Sequence, residues 1–380
     1  MRKITTFLIP FLLIYSTLFC QSKPVLVFVS GTENYQSFRI PAIVKSKNGD
    51  LLAFCEGRVN GSADFGNIKI VLKRSLDNGK TWSALQIVAS NDSLQAGNSA
   101  PVVDLTDPRF PQGRFFLFYN TGNSPEMELR EGKGHREILY KTSTDNGKTW
   151  SDATNITLQV NRINQPETNP LWNFKEDWRT YANTPGHALQ FDAGKYKGRI
   201  YVAASHSSGN PKPELRDYQA HGFYTDDHGA TFHLSETVPF EGSNESTAAP
   251  LTNNSLMMNS RNQTGKYRIV SLSKNGGETW DTTFVDYHLP DPICEGSLLN
   301  IGKKRGKSVL AFCNNDDQKS RDSLTLRVSF DEGKTWEKSF LIDPKNTGYS
   351  DIVKISKKKI GVFYEADGYK EIKFTVVKWK

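Results

Sequence analysis

One turn signature, Ser/Thr-x-Asp/Asn-x-Gly-x-Thr-aromatic, recurs five times along the 380 residues and limits the fold more than any other feature. The copies run Ser75–Trp82, Ser143–Trp150, Thr225–Phe232, Ser273–Trp280 and Ser329–Trp336; Asn275 replaces Asp in the fourth, and Phe232 replaces Trp in the third. A short polar side chain bonds its own backbone, Gly supplies positive φ, and the aromatic packs on the strands beneath, so each copy reads as a hairpin cap. Successive copies lie roughly 50 to 80 residues apart, room for one four-stranded sheet plus loops, and repeats at such a period mean an array of equivalent sheets. A radial array, the β-propeller, protects its sheet edges by closing the ring. At roughly 60 residues per unit the chain has room for six blades, one of them without a signature. The expectation is an all-β fold, a single six-bladed propeller spanning 24–380.

The rest of the sequence agrees with that class. Runs such as Arg199 to Ala204 and Leu324 to Val328 alternate apolar and polar residues, and no heptad or linker interrupts them. Val25–Val29 and Ile372–Val377 read as strands from the two ends that pair to complete one shared blade. Residues 1–20 open Met1-Arg2-Lys3 and continue into an apolar run from Phe7 to Phe19, too short for a spanning helix, which reads as a secretory signal peptide. The expected location is secreted or periplasmic. Cys20 ends the run as a candidate lipid-attachment point, although Leu18 and Phe19 are bulkier than the small residues such signals carry.

Removing Arg2 and Lys3 from the net charge of +7 leaves +5, modest for this length. Lysines are scattered through turns and the segment Lys354 to Lys359 without interleaved aromatics, so no nucleic-acid track is read and a solvated surface is expected. Cys55, Cys294 and Cys313 lie in strand-like apolar runs, with neither metal-ligand spacing nor an even count, and read as buried free thiols. His187, His206 and His221 lack metal-ligand spacing. Neither metal nor cofactor is expected, and a monomer is.

Against this β background stands Phe38-Arg39-Ile40-Pro41, a guanidinium between apolar residues, followed by arginines and acids in separate segments. Phe-Arg-Ile-Pro ahead of several such turns resembles the exo-α-sialidases (neuraminidases), particularly the secreted bacterial ones, over about Tyr35 to Glu365. The resemblance implies a substrate class, sialylated glycans, and a set of roles. Arg39, Arg261 and Arg321 match three arginines that bind the sugar carboxylate, and guanidinium groups suit it because they engage carboxylates bidentately and stay charged. Glu365 matches the glutamate holding the first arginine. Asp64, in the segment Gly61 to Gly66, matches the acid/base aspartate. Tyr349 matches the nucleophile and Glu245 the glutamate that activates it. A neutral phenol suits an anomeric carbon that already bears a carboxylate, provided that a base takes its proton. Arg58 and Asp104 resemble residues near the 4-hydroxyl, and Trp172, Trp178 and Tyr181 could wall the acetamido side or an aglycone site. The activity implied is hydrolysis with retention. Transfer to another sugar, intramolecular release of an anhydro product, or a sialic-acid lectin without turnover are the alternatives.

Overall fold

A computed structural model describes residues 21–380, so the signal-peptide reading and Cys20 lie outside the described residues. The described chain is almost entirely antiparallel β. Hydrogen bonding divides it into five sheets rather than six separate ones. Three have four strands, one has five, and one has eight. The eight-stranded sheet consists of two antiparallel meanders, one beginning at Ser37–Lys45 and the other at Gln95–Asp104, welded by a single parallel pairing of Ile68 with Gln95. That pairing is why the expected count of six does not emerge as six discrete sheets.

The five signatures form one structure each. In the first, Asp77 accepts from the backbone N–H and hydroxyl of Thr81 (2.9 and 2.7 Å), and Ser75 Oγ accepts from the Gly79 N–H (2.8 Å). Asn275 keeps the turn by donating from Nδ2 to Thr279 Oγ1 (3.0 Å) where an aspartate would accept. At Gly79, with φ +86°, an added Cβ would sit 2.1 Å from the Phe374 ring, so both the turn and the close packing require glycine. Each signature follows the third strand of its meander. The remaining sheet takes its third strand, Glu371–Lys378, and its fourth, Val25–Val29, from opposite ends of the described chain, so there is no hairpin there to cap. Their pairing, Val25 with Phe374 and Val29 with Glu371, closes the ring as expected.

The core consists of apolar clusters, each between neighbouring meanders. Val27, Phe28 and Phe363 meet Phe38 and Cys55 across the closing seam; Phe118 and Val102 meet Phe223 and Val202 farther round. At the centre, the fully buried Asp351 carboxylate accepts from Ile43 N (2.7 Å), His187 N and Nδ1 (3.0 and 2.6 Å) and Ser297 Oγ (2.7 Å). One side chain thus ties its own sheet to three others, directly below Tyr349. Cys55, Cys294 and Cys313 are buried free thiols.

Candidate active site

The strand Ser37–Lys45 does not run straight. Its register shifts between Arg39 and Ala42, and Ile40 adopts φ +60°, a conformation that costs a β-branched residue energy and must be held by its surroundings. Glu365 holds it. One carboxylate oxygen accepts from Arg39 Nε (2.7 Å) and Ile40 N (2.9 Å), and the other from Tyr349 N (2.9 Å). A single buried acid therefore fixes a guanidinium and the backbone of a tyrosine 310 positions farther along the chain. The Arg39 guanidinium lies 4.1 Å from the centre of the Tyr369 ring and 5.7 Å from that of Tyr349.

Tyr349 is almost wholly buried, and its hydroxyl donates to Glu245, at 2.6 and 2.8 Å from the two oxygens. Arg261 Nη1 donates to the same carboxylate (2.7 Å) and to the phenol oxygen (3.0 Å). Burial and the Glu245 charge push the Tyr349 hydroxyl well above its ordinary range, against the pull of Arg261 and Arg321. The phenol thus keeps its proton, already bonded to the group that can take it. Below, the buried Glu295 accepts from Ser350 N (3.0 Å), and burial raises its own carboxyl well above the usual range.

Arg321 donates to Tyr369 Oη (3.2 Å) and to the Ile293 carbonyl (3.1 Å), and no carboxylate pairs with it among the described residues. Its ring-face distance to Tyr349 is 5.5 Å. Arg261 Nε is buried without a partner. Burial disfavours the charge on Arg39, Arg261 and Arg321, but neighbouring anionic and phenolic groups more than offset it, so all three stay cationic. An under-bonded, cation-rich pocket of this kind is built to take an anion.

Opposite lies a second charged group. Arg58 forms ion pairs with Glu56 (2.7 Å) and with Asp64 (2.7 Å), whose side chain is 79% exposed on its loop. Partial burial raises the Asp64 carboxyl, yet Arg58 outweighs it and leaves the acid below its ordinary range. Glu56 also accepts from Asn98 N (2.9 Å). A third wall is formed by Glu126, which pairs with Arg136 (2.6 Å) and accepts from the Tyr218 hydroxyl. Met127, Ala182 and Leu215 add an apolar strip. Together these groups line one cavity of about 320 Å³.

Arg39, Arg58, Asp64, Glu245, Arg261, Arg321 and Tyr349 all border this cavity, with Glu365 immediately behind it. Asp104 does not. Its strand, Gln95–Asp104, carries Gln95 and Asn98 at the cavity and Asp104 at the opposite end, ten residues along and about 30 Å away at strand rise. There Asp104 accepts from Thr106, Asp107, Gln190 and His228, which is a structural corner. Trp172, Trp178 and Tyr181 are packed inside rather than lining the pocket, with Trp178 stacked on His206 at 3.6 Å. Sequence reasoning missed Glu56, although it sits two residues before Arg58 on the same strand face. It also missed Asn98, Glu126, Arg136 and Tyr218, which no local pattern distinguishes.

A sequence profile described as a BNR repeat-like domain matches residues 49–362. The chain belongs to this family. Among relatives of this BNR repeat-like protein, a sialidase of Micromonospora viridifaciens is 30% identical over 359 residues, covering 89% of this chain and 51% of the relative. The chain thus spans about half the length of that relative. The solved structure of the Hadza microbial sialidase Hz136 superposes with a TM-score of 0.77 at 25% identity, covering 93% of this chain and 68% of the other. A leech intramolecular trans-sialidase solved with 2,7-anhydro-Neu5Ac superposes with a TM-score of 0.74 at 15% identity, over 94% of this chain and 70% of the other. That last likeness concerns the fold, an all-β propeller.

Proposed function

We propose that this protein is an exo-α-sialidase that hydrolyses terminal α-linked sialic acid from glycoconjugates. The observation that carries the reading is the convergence of Arg39, Arg261 and Arg321 around a Tyr349 hydroxyl already bonded to Glu245. Three cations seat the sugar carboxylate, which brings the anomeric carbon to the phenol. Glu245 takes the phenol proton as the oxygen attacks, forming a covalent sialyl-tyrosine with release of the aglycone. Asp64 swings from Arg58 to the glycosidic oxygen, protonates it, and afterwards deprotonates the water that frees the sugar, so the configuration is retained. Its ion pair with Arg58 describes the resting state; desolvation by the bound sugar restores its acidity to a useful range. Arg58, with Glu56 rather than Asp104 as its acidic companion, contacts a sugar hydroxyl.

The eight-stranded sheet counts in this reading as two blades, giving six in all. Residues 1–20 direct the chain out of the cytoplasm, and the enzyme works as a monomer. Hydrolysis of a fluorogenic aryl sialoside is the primary test. Tyr349→Phe is expected to abolish it while a sialic-acid analogue still binds; near-normal turnover in that variant removes Tyr349 from the mechanism. NMR of the first product is expected to reveal free α-sialic acid, and an anhydro sugar there would instead assign intramolecular transfer.

A further inference from the structure

The lysines that look scattered in sequence are gathered in space. The strands Ser297–Lys304 and Ser350–Ser356 each begin beside the sugar cavity, near Glu295 and Tyr349, and run away from it. Eight residues of strand carry the chain about 25 Å, so the hairpins at their far ends, with Lys303, Lys304 and Lys357, lie on the face opposite the mouth. Two cavities open there. One, of about 560 Å³, is lined by Lys303, Lys304, Lys338, Lys354, Lys357 and Lys380 with Phe330 and Trp379; Lys304 Nζ sits 3.9 Å from the Phe330 ring centre. The other, of about 680 Å³, is lined by Gln21, Lys23, Lys80 and Lys359 among others. Neither has an Asp or Glu in its lining. Lysine ion pairs among the described residues all involve other positions: Lys73, Lys133, Lys212, Lys274, Lys370 and Lys373. Lys354 also lies near enough to Lys45 to depress the latter's proton affinity, second to burial. Clustered cations without counter-charges repel one another, a cost that an anionic partner removes.

We infer that this face docks on an anionic phospholipid membrane, holding the mouth away from the bilayer. Two observations select a membrane over other polyanions. The lysines are spread over a broad face on separate hairpins rather than along a groove that would track a polymer. Gln21, which follows directly on the apolar run Phe7 to Phe19, lines one of the two cavities, so the chain enters the fold on this side. A basic face next to an apolar segment combines the two signals on which peripheral membrane binding depends.

The experiment is sedimentation of the full chain with vesicles of phosphatidylcholine, with and without phosphatidylglycerol, at low and high salt. Preferential binding to the anionic vesicles that weakens with salt is expected. Each lysine removed near the surface weakens binding about fivefold, so Lys303→Ala, Lys304→Ala and Lys357→Ala combined are expected to weaken it about a hundredfold. The same number of changes elsewhere, at Lys175, Lys266 and Lys319, is expected to have little effect. Hydrolysis of a soluble aryl sialoside reports folding of both variants independently. Equal binding to both vesicle types, or equal weakening by the two triple variants, overturns the inference. So does retention on a sulfated polysaccharide without vesicle binding.

Discussion

Glu365 and Arg321 contribute to the same anion site from opposite situations, and two substitutions separate them. Arg39→Met leaves the fully buried Glu365 carboxylate without its cation and is expected to cost about 3–5 kcal/mol of stability as well as substrate affinity. Arg321→Met orphans no acid; unfolding in urea is expected to change by less than about 0.5 kcal/mol while KM for an aryl sialoside rises at least tenfold. Comparable destabilisation by the two would mean that Arg321 is structural. At Glu245, replacement by Gln keeps a hydrogen bond to Tyr349 but removes the base, and kcat is expected to fall by about 10²–10⁴. The residues tested here were legible in the sequence because each lies in a recognisable short motif. Asp104 was misplaced because a ten-residue strand has two ends, and spacing along one strand does not say which end faces the sugar. Glu126, Arg136 and Tyr218 were invisible because they meet only through tertiary packing.

The repeated turns place strands, while chemistry sits at the other end of those strands, and substitutions at the two ends should behave differently. Asp145 accepts from Ser143 Oγ, Thr149 N and Thr149 Oγ1 at 2.6 to 2.9 Å. Asp145→Ala is expected to lower unfolding stability by about 1 kcal/mol, the value of partly exposed hydrogen bonds, with kcat and KM unchanged. Gly348, on the turn carrying Tyr349, has the opposite profile. A Cβ there would lie 2.2 Å from Glu365 Oε2 and 2.6 Å from the Tyr369 ring, so Gly348→Ala must displace the carboxylate that fixes Arg39 and Tyr349. A fall of at least tenfold in kcat/KM is expected, and wild-type kinetics would mean that the turn yields without moving the site. All five caps and the closing strand pair were readable because turn chemistry and alternation are local signals. The weld between Ile68 and Gln95 was not, since it depends on how two loops meet.

Closing the ring buries three histidines in unlike surroundings, and their balance determines how the whole molecule responds to acid. His206 is driven well below the ordinary histidine range by burial and then by His221, which lies 3.0 Å away; His221 falls to about 3 through burial and then Arg162. Both accept protons near pH 6.5 only in the unfolded chain. Stability from them is complete above that pH and is lost as pH falls through the interval down to about 3. His187 is the reverse case. Burial disfavours its charge, but Asp351 more than restores it, so its contribution is complete below pH 6.5 and is lost as pH rises through its raised folded value. The two signs combine into a maximum near pH 6.5. On the acid side, two protons taken up only on unfolding give a slope of at most about 2.7 kcal/mol per pH unit. The repeated-turn aspartates add a separate loss at lower pH: Asp77, Asp145 and Asp227, held at about 2 chiefly by their threonine bonds against any burial, withdraw stability as pH falls from about 4 to about 2. Urea unfolding from pH 8 to pH 4 in about unit steps measures the first effect. His221→Gln, which removes one titrating ring, is expected to flatten the acid limb by about half, and an unchanged limb would place the proton uptake elsewhere.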